Sequence, residues 1–194
     1  MVQIIVITGT PGTGKSTLAR IISKKVQAEL FEINTTIVEN ELYDEWDENR
    51  NIPIIDDDKI NNFFLNFIKK IPNNTKLIAE GHYFEFISDE IINKIIILRT
   101  NPPKLKERLK SRNFSESKIN ENIQAEILGN IMGVIIHEYQ NIPLLQVDTS
   151  NDNIEQSSRV IIDFINEKVS ATKPSEFIDW LPILEEKKEL EKYF

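Results

Sequence analysis

The chain has no cysteine among its 194 residues, which excludes disulfides and cysteine-ligated metal centres and fits a reducing, cytoplasmic setting. Histidine is nearly absent, at two residues, so each needs a specific account. No apolar run is long enough to span a bilayer, and no membrane partner is expected. The first apolar run lacks a basic leader and ends in a glycine-rich loop, so no secretory leader is expected. Positive charge is in deficit: 23 lysines and arginines stand against 31 aspartates and glutamates, a formal net charge of −8. That balance argues against direct nucleic-acid binding through a broad basic surface; it serves solubility and would also suit a basic partner. The remaining composition, 40% hydrophobic and 28% charged, is that of one globular domain with room for a lid or an appendage.

Glycine is scarce too, yet Gly9, Gly12 and Gly14 cluster in the stretch Gly9 to Thr17. It fits the pattern G-x-x-x-x-G-K-[ST] of a phosphate-binding loop. Val2 to Ile7 before it is an apolar, β-branched stretch that reads as a buried strand. After it, Leu18, Ile21, Ile22 and Val26 recur at helical spacing. Strand, loop and helix stand in the order that the motif needs. Glycines let the backbone come close to a ligand, and the N–H groups of Gly12, Thr13, Gly14, Lys15, Ser16 and Thr17 converge on phosphate oxygens at a helix N-terminus. Lys15 is expected to reach the β- and γ-phosphates of ATP, and Ser16 to offer its hydroxyl to Mg²⁺.

Further along, strands read at Leu30–Ile33, Lys76–Glu80 (taken as the central strand), Lys94–Arg99 and Pro143–Val147. Asn34, Thr35 or Thr36 would cap a short helix to Asn40. Residues 41–53 read as an acidic, aromatic loop without a period. Asp56 to Asp58 open a helix striped by Ile60, Phe63, Phe64, Phe67 and Ile68, and capping explains these aspartates better than a metal cluster does. A short helix is expected over 84–93, another from Asn101-Pro102-Pro103 through Arg112, a long one from about Ser115 to Tyr139, and the last core helix over 154–169. Alternating strands and helices predict an α/β fold with a parallel sheet and right-handed crossovers, its ligand beyond the strands' C-terminal ends. The phosphate loop, Glu80, Arg99 and Asp148 would share that rim. The tail after Lys173-Pro174 carries Phe177, Trp180, Leu181 and Leu184 and is expected to pack back on the domain.

Glu80 stands where a carboxylate acting on a magnesium shell belongs. His82, close behind, would orient an acceptor or a water, whereas His137, within a helix, reads as structural. Arg108 and Arg112 lie one helical turn apart and, with Lys118, flank a break between helices. Arginines on such a lid can neutralise a transferring phosphoryl group, a role assigned to Arg112 with Arg108 beside it.

With these residues in view, the chain resembles the adenylate kinase isoenzyme six family, also called the coilin-interacting nuclear ATPase family, within the P-loop nucleoside monophosphate kinases. The resemblance lies in residues 7–17, 42–48, 52–59, 80–86, 97–100 and 107–127. It implies a core of five parallel strands, with an acceptor region near 34–56 and a lid near 108–120 within a kinase domain 1–172; the tail 173–194, read as helical, lies outside the matching region. It also implies Mg²⁺-dependent phosphoryl transfer from ATP to AMP or another nucleoside monophosphate, ATP hydrolysis, and a part in small ribosomal subunit maturation with a basic small-subunit ribosomal protein as partner. The sequence departs from the family in having Glu80-Gly81-His82 where Asp-x-His is usual. Its shortened 33–42 segment lacks the usual acceptor arginine, for which Arg50 is the candidate substitute. The missing arginine keeps open an ATPase switch, and the loop 44–50, which could bind a non-nucleotide acceptor, keeps open a small-metabolite kinase.

Overall fold

The computed structural model describes residues 1–48 and 52–194. In chain order the elements are β1 (Gln3–Gly9), α1 (Lys15–Val26), β2 (Glu29–Glu32), α2 (Ile33–Glu39), β3 (Tyr43–Asp47), β4 (Ile52–Ile55), α3 (Asp57–Lys70), β5 (Lys76–Glu80) and β6 (Ile92–Arg99). They continue with α4 (Pro102–Ser111), α5 (Glu116–Leu128), α6 (Asn130–Glu138), β7 (Leu144–Asp148), α7 (Ile154–Ile165) and α8 (Trp180–Glu186). Five strands form one parallel sheet in the order β2-β5-β1-β6-β7, so β1 is the middle strand and β5, expected at the centre, is its neighbour.

Side chains alternate across that sheet with the period of two that a strand imposes. Ile4 and Val6 pack with Phe31, Phe64, Ala79 and Ile95 on one face, while Ile5 and Ile7 pack with Leu18, Ile22, Ile78 and Phe164 on the other. Both faces are covered by helices, which is why the strands read as continuous apolar runs. The register sets Ile7 beside Glu80, Gly9 beside Leu98 and Arg99 beside Asp148. The phosphate loop and these polar residues thus meet at the C-terminal rim.

Several local expectations are corrected. Residues 43–47 and 52–55 form an antiparallel hairpin rather than a loop, with Trp46 opposite Pro53. A two-stranded ribbon is marginal alone. Here Tyr43 and Ile55 pack on the main core, and the Lys59 ammonium bridges Asp44, Asp56 and the Tyr43 carbonyl. The expected helix over 84–93 is absent: Phe84, Phe86 and Ile87 are all buried in one cluster. A helix would turn Phe86 away from the other two, so the chain takes tight turns there. The long helix after Ser115 breaks at Gly129, whose φ of 66° ends α5 and begins α6. A left-handed residue closes a helix in this way, and glycine adopts it without strain. The short helix α2 has Glu32 at its N-cap position and no side-chain cap, so Asn34 is free for another partner.

The helix α7 ends at Ile165, short of the expected 169, where the buried Lys94 ammonium donates to the Phe164 carbonyl at 3.0 Å. A cation at a helix C-terminus meets the negative end of its dipole. In the tail, Trp180 and Leu184 are buried against Leu105, Leu109, Ile119 and Ile123. Each such side chain contributes about 1.5–3 kcal/mol, enough to fix a helix as short as α8 that would not persist alone. Asp56 caps α3, accepting from the Lys59 N–H, which accounts for the first of the three aspartates without a metal.

Candidate active site

The loop between β1 and α1 is held from below by its own polar side chains and by Thr149. The Thr10 carbonyl accepts from Thr13 Oγ1 at 2.8 Å and from the Lys15 ammonium at 3.2 Å, and the Thr13 carbonyl accepts from Thr149 Oγ1 at 2.9 Å. Gly12 has a φ of 96°, a left-handed conformation that glycine adopts without the strain that a Cβ would bring. Thr13 is fully buried and supports the loop from inside. Ser16 and Thr17, on the first turn of α1, line different compartments.

Lys15 is buried beneath the loop. Burial pulls its pKa from the ordinary 10.5 to about 8, Glu80 opposes that pull, Arg112 adds to it, and Glu126 opposes it. A lysine whose folded pKa lies below its unfolded value costs stability at neutral pH, and that cost fades as pH rises from 8 towards 10.5. Phosphate binding has the opposite dependence because it needs the charged form. MgATP affinity is expected to hold from pH 6 to 7.5 and to fall about tenfold between pH 7 and pH 9, with proton uptake on binding at pH 9. Titration calorimetry in two buffers of different ionisation enthalpy reads both effects.

Ser16 Oγ donates to Glu80 Oε1 at 3.1 Å. Burial raises the Glu80 pKa, while Lys15 and the Ser16 hydrogen bond hold it down. Among the described residues no three His, Cys, Asp or Glu gather as a metal cage. A hydroxyl and a carboxylate side by side nevertheless suit a hard cation that keeps water and phosphate oxygens as its other ligands, the usual manner of magnesium.

His82 Nδ1 lies 3.0 Å from the Asn34 amide nitrogen. With that amide donating, Nδ1 is the acceptor and Nε2 carries the ring proton. Burial and then Lys15 lower the ring's pKa to about 4, so the imidazole is neutral at physiological pH. It can donate from Nε2 and orient an oxygen. Its side chain still reaches solvent. His137, by contrast, is exposed on the last turn of α6 and does not line the cleft.

Two compartments meet over the loop. The smaller, about 240 Å³, lies between Gly12, Thr17, Arg108, Asn153 and Ser157. The larger, about 890 Å³, is walled by Lys15, Ser16, Glu80, His82, Asn34 and Lys118, with Ile52 of the hairpin also on its lining. Gly12, Gly14 and Arg112 border both. The two candidate arginines separate here. Arg108 is tied down: its guanidinium pairs with Asp152 at 2.6 Å and donates to the Thr149 carbonyl, Thr149 Oγ1, Thr100 Oγ1 and the Gly12 carbonyl. Arg112, the residue that ends α4, is exposed at the junction of the compartments.

The profile of the AAA domain family matches residues 5–129. A Sulfurisphaera tokodaii protein named "Putative adenylate kinase" is 34% identical over 183 residues, covering 94% of this chain and 88% of its own. A Methanosarcina barkeri protein of the same name is 34% identical over 189 residues, covering 94% of this chain and all of its own length. The chain belongs to this adenylate-kinase-like family of P-loop AAA-domain proteins. Among solved structures, shikimate kinase from Acinetobacter baumannii superposes with a TM-score of 0.57 at 13% identity, covering 87% of this chain and 95% of that one. Deoxyadenosine kinase from M. mycoides, solved with bound dATP, superposes at 0.53 with 19% identity, covering 84% and 99%. These likenesses show the α/β P-loop fold, which the five-stranded sheet shares.

Several residues of the site lie outside those that sequence reasoning selected. Arg20 lines the larger compartment and pairs with Glu32 at 2.7 Å. Its position four residues after Ser16, on the same face of α1, was the signal. Asn34, read as a cap, is the partner of His82. Glu126, buried below the loop, accepts from Thr10 Oγ1 at 2.5 Å, and nothing in its spacing separates it from an ordinary helix-surface glutamate. Arg50, the candidate substitute for the family's acceptor arginine, lies outside the described residues.

Proposed function

We propose that the protein is an ATP-dependent nucleoside monophosphate kinase of adenylate-kinase type, converting ATP and AMP to two ADP. The observation that carries this reading is Arg112, exposed at the junction of two compartments directly above the phosphate loop. One compartment would take the adenosine of ATP and the other the acceptor nucleotide. The γ-phosphoryl group would then leave the β–γ bridging oxygen for a phosphate oxygen of AMP, with Arg112 and Lys15 balancing the charge spread across the transition state. Arg108, held by Asp152, would wall the ATP side and position its partner arginine one turn on. His82, neutral and donating from Nε2, would hold the acceptor oxygen in line. Ser16 and Glu80 would hold magnesium, which when bound adds electrophilic stabilisation of the phosphates. Bounds of 1–172 for the kinase domain, with an acceptor region near 34–56 and a lid near 108–120, follow from this assignment.

A second reading is supported by the Arg20–Glu32 pair, which occupies a cation of the larger compartment, and by the acidic strand β3. In it the protein is an ATPase switch in small ribosomal subunit maturation, as the isoenzyme six resemblance implies, and binds a basic ribosomal protein in the cytoplasm. Water then replaces AMP as acceptor.

The deciding experiment measures ADP formation from MgATP alone, with each nucleoside monophosphate, with shikimate, and with a basic small-subunit ribosomal protein. AMP is expected to stimulate turnover strongly. If no nucleoside monophosphate is phosphorylated, the kinase assignment fails; stimulation only by the ribosomal protein supports the switch, and only by shikimate a metabolite kinase. In the same assay His82→Ala is expected to lower AMP-dependent kcat by about 10²-fold while ATP binding changes less than threefold. Unchanged turnover would remove His82 from the reaction.

A further inference from the structure

The tail beyond residue 172 lies past the 5–129 match to the family profile, yet it is joined to the phosphate loop through a buried charge. Glu126 on α5 and Arg99 at the end of β6 form an ion pair at 2.8 Å, and each side chain is 2% exposed. Taking two charges out of water is costly, and such pairs persist only where further hydrogen bonds satisfy them. The Glu126 carboxylate also accepts from the Thr100 N–H at 3.1 Å, from Trp180 Nε1 at 3.1 Å and from Thr10 Oγ1 at 2.5 Å. Arg99 gives two further N–H donors to the carbonyls of Glu126, at 2.8 Å, and Ile178, at 3.1 Å. Trp180 and Ile178 belong to the tail, and Thr10 belongs to the loop. Thr10 is also the residue whose carbonyl accepts from Lys15 at 3.2 Å. The line of contacts therefore runs from Trp180 through Glu126 and Thr10 to the lysine under the nucleotide's phosphates.

We propose that Glu126 and Trp180 are positioning residues of the phosphate site, so that the C-terminal tail is a working part of ATP binding rather than an appendage. Glu126 fixes the Thr10 side chain, Thr10 fixes the resting place of Lys15, and Trp180 closes the carboxylate's fourth approach while its ring covers Arg99, 5.9 Å from the guanidinium carbon. A carboxylate with all its donors in place cannot swing, and a loop anchored to it presents its N–H groups without reorganisation.

This inference rests on the loop's reading as a phosphate site, and MgATP binding to the full chain tests the two separately. Dissociation constants for MgATP would be measured by calorimetry for the natural protein and for Thr10→Val, Thr10→Ser and Trp180→Phe, with thermal unfolding alongside. Thr10→Val removes the hydroxyl and is expected to weaken binding about tenfold. Thr10→Ser restores the donor and is expected to bind within about twofold of the natural protein. Trp180→Phe keeps an aromatic ring against Leu105 and Leu109, loses the N–H, and is expected to weaken binding about threefold. If the natural protein binds MgATP and Trp180→Phe binds equally well, the link to the tail is wrong. If Thr10→Ser stays as weak as Thr10→Val, the hydroxyl is not the connection and the proposal fails. If the natural protein binds no MgATP, the phosphate-site reading falls and the proposal falls with it.

Discussion

Replacing Lys15 with alanine is expected to lower kcat for ATP turnover, with or without AMP, by about 10³-fold and to weaken MgATP binding at least about tenfold. The ammonium is the cation buried under the loop, and its pKa of about 8 leaves it charged at neutral pH. Its removal also takes from Glu80 the charge that most opposes the rise in that carboxylate's pKa. Glu80 would then hold its proton more readily and make a poorer magnesium partner. Stability should behave differently. Below pH 8 the buried ammonium is a cost to the fold, so Lys15→Ala should keep its melting temperature or gain a little despite the cavity. Turnover and calorimetric unfolding of the same sample separate these effects. Activity within tenfold of the natural protein would contradict the assignment of Lys15 to the phosphates.

Arg112→Ala is expected to lower kcat for phosphoryl transfer by about 10³-fold while KM for ATP rises no more than about threefold. The residue is exposed just after α4, so folding does not depend on it. On the proposed assignment its contribution would arise when charge spreads over the transferring group, which is the signature of an effect on kcat rather than KM. Arg112→Lys should recover little, because an ammonium cannot reproduce the planar fork of a guanidinium. Arg108→Ala should act in another way. That guanidinium holds Asp152 and the Thr149 carbonyl, so its loss should lower the melting temperature as well as activity. A mainly KM-based loss in Arg112→Ala, read from steady-state kinetics, would move that arginine from the reacting group to nucleotide binding.

The parts of the site that were legible in the sequence depend on local chemistry. The loop's glycines, Lys15 and Ser16 stand at fixed spacing because one turn of backbone must wrap a phosphate, and such a turn specifies its residues by position. The core strands were legible because burial on both faces leaves only apolar side chains between the turns. The acidic hairpin was not. Tyr43 to Asp47 alternate too weakly to reveal a strand, and what holds them is Lys59 and the core beneath, contributed from beyond the hairpin. The missing helix over 84–93 failed for a similar reason: the burial of Phe84, Phe86 and Ile87 together depends on the helices and strands packed around them.

By itself, the sequence determined a phosphate-binding loop on a parallel α/β sheet, a carboxylate and a histidine at the end of another strand, and a pair of arginines one helical turn apart. These follow from spacing along a single segment, where periodicity and covalent geometry leave few choices. Only the tertiary structure decided which arginine is exposed between the two compartments and which is tied to Asp152, that Asn34 holds His82, and that the tail reaches Thr10 through Trp180 and Glu126. Those arrangements join residues separated by 44, 48, 54 and 116 positions. No local pattern encodes such pairings, because they exist only once the sheet register and helix packing have brought the segments together.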